Sequence, residues 1–197
     1  MKTIALPTED EVYQMTKMTE QVLKETGYQH YEVSNFAKPG YACRHNIGYW
    51  ERENYLGLGL GAASMVEEVR WSNKRALEEY RETVNNWTGK HHDQEWNVAE
   101  QENLNTEQRA MTRLGENVEY LTREEQMEEF MFLGLRLTKG VSRQAFEQKF
   151  GVDIEEIYGE VLAKLQQEGL ILAKGYIRLT SYGMDISNYA MSQFLLN

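Results

Sequence analysis

Tyr31-Glu32-Val33-Ser34-Asn35-Phe36-Ala37-Lys38-Pro39-Gly40, followed shortly by His45-Asn46-Ile47-Gly48-Tyr49-Trp50, is the stretch on which the reading of this chain turns. The first part reads as a strand that ends on small residues and a Pro-Gly turn. The second sets an imidazole among Asn, Tyr and Trp in a polar, glycine-punctuated loop. Such a histidine is available to ligate iron, and flat aromatic faces beside it suit a porphyrin, so the hexapeptide suggests haem. The same residues equally suit a loop that packs its aromatics and hydrogen-bonds its histidine with no ligand at all.

Upstream, Thr8-Glu9-Asp10-Glu11 has the form of a capping box and predicts a helix to about residue 26. Val12, Met15, Met18 or Thr19, Val22 and Leu23 recur at helical spacing, and Gly27 supplies a left-handed stop. The methionines read as core filler. Helix followed by a strand over 31–36 makes one αβ unit of a parallel sheet. The carboxyl ends of parallel strands face a common crevice, and Ser34, Asn35, Phe36 and Ala37 stand at such an end.

Downstream, Tyr55–Ser64 alternates Gly with Leu but lacks the helix opening and the acidic residue of a dinucleotide fingerprint. It predicts an extended segment whose backbone passes close to something flat, either a porphyrin, another bound ligand or a neighbouring strand. Met65-Val66 and Val69-Arg70-Trp71 flank Glu67-Glu68 as a hairpin, although two glutamates make a poor primed turn. Asn73 is expected to cap a helix reaching about Trp87, with Leu77, Tyr80, Val84 and Trp87 on one face. Residues 88–117 are polar and read as a linker or insertion. His91-His92-Asp93 within them is a weak metal reading, because adjacent side chains point apart and a fourth ligand is not evident.

The last eighty or so residues read as a separate helical module. Thr122-Arg123-Glu124-Glu125 is a second capping box, opening a helix apolar nearly all round from Met127 to Leu137. Arg136 interrupts that surface and either clamps a carboxylate of a ligand or pairs with a buried acid of the protein. Ser142 begins a short helix that Gly151 ends. Asp153 begins another with Ile154, Ile157, Val161, Leu162 and Leu165 inward. Gly169–Leu172 and Tyr176–Leu179 straddle Lys174-Gly175 as a hairpin, and a last helix starts near Ser181. Helix, helix, hairpin is the layout of a winged helix. Asp153, Glu155, Glu156, Glu160 and Glu168 against Lys164 alone give its second helix the wrong sign for phosphates, so packing or partner docking suits it better.

Composition narrows the classes. With 31 acidic against 21 basic residues the net charge is −10, which argues against a nucleic-acid partner. No apolar run has membrane-spanning length and no signal-peptide pattern opens the chain, so the expected compartment is the cytoplasm. A single cysteine, Cys43, excludes an internal disulfide and leaves only a weak axial-ligand option two residues before His45.

The order Y-E-V-S-N-F-A-K-P-G, then R-H-N-x-x-Y-W, then Y-L-G-L-G-x-G-A resembles the radical SAM coproporphyrinogen III oxidase family, and within it the HemW-type haem-chaperone branch. The likeness continues at Arg70-Trp71-Ser72-Asn73, at Phe132-Leu133-Gly134-Leu135-Arg136-Leu137-Thr138-Lys139-Gly140-Val141, and at Leu179-Thr180-Ser181-Tyr182-Gly183-Met184 with Ser187-Asn188. The resemblance implies haem binding by His45, Asn46, Tyr49 and Trp50, with His45 as the iron ligand. It also implies that Ala37 matches an alanine that approaches SAM in the oxidase branch. Family members hold a 4Fe-4S cluster on Cys-x3-Cys-x2-Cys, which one cysteine cannot do, so no catalytic residue is assigned and the chain alone is expected to be inactive in radical chemistry.

The expected fold is therefore α/β, the C-terminal part of a partial (β/α) barrel over residues 1–87, the linker over 88–117, and a winged-helix-like C-terminal domain over 118–197. The resemblance implies the C-terminal half of a longer protein that holds haem and passes it to an acceptor haemoprotein, with cluster and SAM in the N-terminal half. The alternatives are a fragment of a coproporphyrinogen III oxidase and a winged-helix interaction module.

Overall fold

A computed structural model describes residues 6–88 and 115–196. It is a mixed helix and sheet protein. The chain runs α1 (Glu9–Glu25), β1 (Gln29–Glu32), β2 (Asn35–Ala37), α2 (Arg44–Trp50), β3 (Ala63–Val66), β4 (Val69–Asn73), α3 (Leu77–Thr88) and β5 (Gly115–Tyr120). It continues with α4 (Arg123–Gly134), β6 (Val141–Ser142), α5 (Arg143–Phe150), α6 (Ile154–Gln167), β7 (Ile171–Lys174), β8 (Tyr176–Leu179), α7 (Ser181–Asp185) and α8 (Ser187–Ser192). Two compact units emerge: residues 1–51 with 128–195, and residues 52–127. The expected boundaries followed chain order, whereas the first unit is assembled from two separate stretches of chain.

In the first unit α1 begins at the expected capping box, with the Thr8 hydroxyl accepting from Glu11 N–H and the Glu11 carboxylate accepting from Thr8 N–H at 2.7 Å. No residue of α1 is buried, and Met15 and Met18 are 51% and 68% exposed, so these methionines fill no core in this chain. The expected strand over 31–36 is corrected to a hairpin, with Gln29 opposite Ala37 and His30 opposite Phe36 in an antiparallel pair. The cause is Glu32. Its buried carboxylate accepts from Ser34 N–H at 2.8 Å and from the Asn35 amide at 2.6 Å, which folds the chain back before a longer strand can extend. Every strand pair among the described residues is antiparallel.

The core of this unit lies in its C-terminal stretch. Ser142 caps α5, Gly151 ends it in the left-handed conformation, and Asp153 caps α6, all as the sequence predicts. Phe130, Phe146 and Phe150 meet with ring centroids 4.7 to 5.6 Å apart, and Tyr158 joins Phe146 to Phe194. Aromatic edges packed on faces at such separations contribute beyond the area they bury. Tyr158 stands where Ile157 was expected, for Ile157 is 36% exposed and Tyr158 only 1%. The burial that admits Tyr158 also pushes its phenol pKa up. Beneath the helices β6, β8 and β7 form one sheet, the β7–β8 hairpin turning at Gly175. The final helix is two short ones, α7 and α8, broken at Ile186.

The second unit is built on the sheet β3-β4-β5 around Trp71 and Val69, with Val66 and Val118 against them. Glu67 and Glu68 do form the primed turn, at φ 47° and 67°, in the region that side chains avoid. Tertiary contacts hold it there: Arg52, its side chain almost fully buried, pairs with Glu68 at 2.5 Å, and Glu67 N–H donates to the Asn54 side chain at 3.0 Å. Asn73 does not cap α3. It ends β4, and its amide donates to the Gly57 and Gly59 carbonyls, both at 2.9 Å. What the Gly-Leu alternation passes close to is therefore strand backbone, and a Cβ on Gly57 would lie 2.2 Å from the Ala63 oxygen. Of the expected linker, Gly115, Glu116 and Asn117 belong to β5; His91, His92 and Asp93 lie outside the described residues.

Candidate functional site

The hexapeptide at His45 is a helix, not a loop. Pro39 and Gly40 make the turn that leads to it: Gly40 has φ 83°, and Tyr41 N–H donates back to the Lys38 carbonyl at 2.9 Å, an arrangement glycine adopts without strain. Then α2 runs for seven residues, with Cys43 at its N-cap giving no side-chain cap. Residues four apart share a helix face, so the spacing H-N-x-x-Y-W makes two adjacent pairs.

The pairs face different surroundings. His45 and Tyr49 are both exposed, their rings edge to face at 4.8 Å and 80°. Among the described residues no hydrogen bond holds the His45 imidazole, so its nitrogens face solvent beside an aromatic ring. Asn46 and Trp50 turn inward. The Asn46 amide donates to the Tyr31 hydroxyl at 3.3 Å, and the Trp50 ring lies under the Arg136 guanidinium, 4.2 Å from its centre. Gly48, buried on the helix, leaves room for close packing.

Behind Trp50 stands an ion pair that the sequence left open. Arg136 donates to Glu32 at 3.2 Å; Glu32 is 0% exposed and the Arg136 side chain 19%. Of the two roles open to Arg136, pairing with an internal acid is the one observed. Glu32 itself escaped the sequence reading, since a glutamate in a strand pattern carries no local sign that it will be buried. Its three acceptor contacts leave the carboxylate well satisfied, as burial of a charge requires.

The remaining candidates lie on other elements. Ala37 closes β2, paired with Gln29 and half-buried, before the Pro-Gly turn. Cys43 is exposed. A shallow groove is lined by Val12, Met15 and Thr19 of α1 and by His30, Val33 and Phe36 of the hairpin; His30 stacks on Phe36 at 4.2 Å and 9° and contacts the Val33 carbonyl at 3.0 Å. Among the described residues no group of three or more His, Cys, Asp or Glu side chains could hold a metal ion, and no helix is long and apolar enough to cross a membrane.

Comparison with known proteins bears on the same motifs. Residues 121–186 match the HemN C-terminal domain family. The chain is 33% identical over 195 residues to the heme chaperone HemW of Lactococcus lactis, covering 98% of this chain and 45% of that protein. It is 30% identical over 191 residues to the heme chaperone HemW of Bacillus subtilis, covering 96% and 44%. The chain is thus similar to HemW-type heme chaperones along almost its whole length and carries a match to the HemN C-terminal domain. Its fold is similar to that of coproporphyrinogen III oxidase (HemN) from Escherichia coli, a radical SAM enzyme, with a TM-score of 0.64 and 18% identity over 96% of this chain and 42% of that one. The chain spans less than half the length of the relatives it matches. The similarity extends over almost the whole of this chain.

Proposed function

We propose that the chain is part of a cytoplasmic haem chaperone, that His45 ligates the haem iron, and that the haem is passed on to an acceptor haemoprotein. The observation that carries the reading is the exposed imidazole of His45, free of hydrogen bonds and flanked by Tyr49, on a helix whose other face is pinned by Asn46 and Trp50. An imidazole with both nitrogens unengaged is a ready axial ligand, and an adjacent phenol ring offers a flat apolar contact to a macrocycle. The homologues named heme chaperones support the same reading. A 4Fe-4S cluster and SAM belong, in this proposal, to a further part of a longer protein, because one cysteine cannot hold a cluster. That part would complete a barrel with the hairpin β1-β2 and cover the apolar face of α1, where Val12, Met15 and Val22 stand exposed. Ala37 would face SAM there. The order α4, β6, α5, α6, β7, β8 supports a winged-helix reading of the C-terminal stretch, used for packing or partner docking because α6 is acidic.

A haemin titration of the 197-residue chain tests this. The wild type should give a Soret band of bound haem that His45→Ala weakens by at least about 100-fold in affinity, since losing the ligand costs no less than losing an outer-shell partner, whose loss costs about 10- to 100-fold. Identical spectra and affinities for the two proteins would remove His45 from the site.

A further inference from the structure

The contacts behind α2 have a purpose that the haem ligand itself does not reveal. The segment Arg136-Leu137-Thr138-Lys139 runs beside β1. Val33 N–H donates to the Arg136 carbonyl at 2.9 Å, Thr138 N–H to the Tyr31 carbonyl at 3.1 Å, and Leu137 bridges to Glu32. From this paired backbone three side-chain contacts reach α2. Tyr31 accepts from Asn46, Arg136 covers Trp50, and Lys139 pairs with Glu51, the residue that caps the helix at its C-terminal end. All three lie on the inward face or the end of α2, opposite the His45–Tyr49 face.

The geometry points to a positioning device: Glu32 and Arg136, acting through Trp50 and supported by Lys139 at Glu51, fix the rotation and tilt of α2 and so aim the His45 imidazole. The helix needs such a device. Seven residues with an internal glycine and no side-chain cap do not form a stable helix alone, because nucleation is costly and few turns repay it. The guanidinium is suited to the task because it is planar. It sits over the indole at 4.2 Å while donating to Glu32 at 3.2 Å, whereas an ammonium makes only one of those contacts well. Buried ion pairs add little net stability, and their best-attested use is to specify one arrangement among several, which is the role assigned here. Arg136 and Glu32 touch no haem in this scheme; they act through Trp50.

This inference rests on the haem reading of His45 for its purpose, but its mechanics are measurable without haem. Hydrogen exchange of the α2 amides should speed up about tenfold or more in Arg136→Met and in Glu32→Gln, and by less in Lys139→Ala, which lies at the surface and leaves the core intact. Haemin affinity should fall in the same order, by about tenfold for Arg136→Met, the low end of the range for outer-shell partners of a metal ligand and less than the loss in His45→Ala. Leu165→Val, a core change in α6, serves as the control: it lowers global stability while leaving α2 exchange and haemin affinity at wild-type values. Unchanged α2 exchange in the Arg136 and Glu32 variants overturns the device, as does faster exchange with unaltered haemin affinity. Should those variants fail to fold, Lys139→Ala decides by the same two readouts. If His45→Ala binds haemin like the wild type, the haem reading fails on its own and the exchange data alone decide whether α2 is held in this way.

Discussion

Helices α1 and α6 were both read from the same kind of signal, a cap followed by apolar residues at helical spacing, and they end in opposite circumstances. In α6 Ile154, Tyr158, Leu162 and Leu165 are buried, whereas α1 buries nothing and keeps Val12, Met15, Met18 and Val22 at the surface. An apolar stripe states which face of a helix seeks cover. It does not state that the cover lies within the same chain. What fastens α1 is polar instead: its capping box, the neighbouring pair of Lys17 with Glu20 at 3.3 Å, and a long-range contact from Lys17 to Asp185 at 2.6 Å. Desolvation works to lower the Lys17 pKa, but the hydrogen bonds to Asp185 and Glu20 outweigh it and hold the group above its ordinary range.

Five perturbations would break or sharpen that contrast. The largest effect is expected from Phe146→Ala, beneath α6. Removing a fully buried ring from a packed aromatic cluster should cost about 3–5 kcal/mol, seen as a lowered thermal or denaturant midpoint. Next comes Thr8→Ala, which removes one side of the α1 capping box and should cost about 1 kcal/mol, read as faster exchange of the first-turn amides with the α6 amides unchanged. Acid should act on the same box. The hydrogen bonds from Thr8 hold the Glu11 pKa below its ordinary value, so the stabilisation is present above the usual glutamate range and is lost as pH falls through the lowered value. A pH series of exchange at α1 that shows no such loss would sink this account. Asp185→Ala should cost under about 1 kcal/mol, the usual scale of half-exposed pairs. The loss of this contact should reproduce the loosening of α1 that appears in the parent as pH rises through the raised Lys17 value, because a raised lysine pKa stabilises only while the ammonium persists. Smallest of all, Met15→Ser should change stability by less than about 0.5 kcal/mol. A penalty as large as that of Phe146→Ala would mean that α1 is covered in solution.

Elements that carry their own instructions were legible in the sequence. Thr8, Thr122, Ser142 and Asp153 all cap where expected, and Gly151 and Gly175 turn where expected, because a cap or a left-handed glycine is decided by a few neighbouring residues. What failed was decided at a distance. The Glu67-Glu68 turn looked poor because its support comes from Arg52 and Asn54. The strand over 31–36 became a hairpin because Glu32 is buried, and it is buried because Arg136 meets it. The candidate site divides in the same way: the resemblance singled out His45, Asn46, Tyr49 and Trp50, but the helix that sorts them into an outward and an inward pair was invisible, since α2 has no side-chain cap and an internal glycine. Arg136 stands out in the sequence as a charge in an apolar run, but nothing local marks Glu32 as its partner.

The separation of Glu32 from Arg136, 104 residues along the chain, sets an order of events during synthesis. At about 5–20 residues per second, roughly 5 to 20 seconds pass between the two residues leaving the peptidyl-transferase centre. Throughout that interval the Glu32 carboxylate lacks its counter-charge and Trp50 its guanidinium cover, so α2 has little to hold it in place. The nascent protein therefore carries His45 long before it can present it, and a ribosome stalled short of residue 136 would display the motif without its geometry.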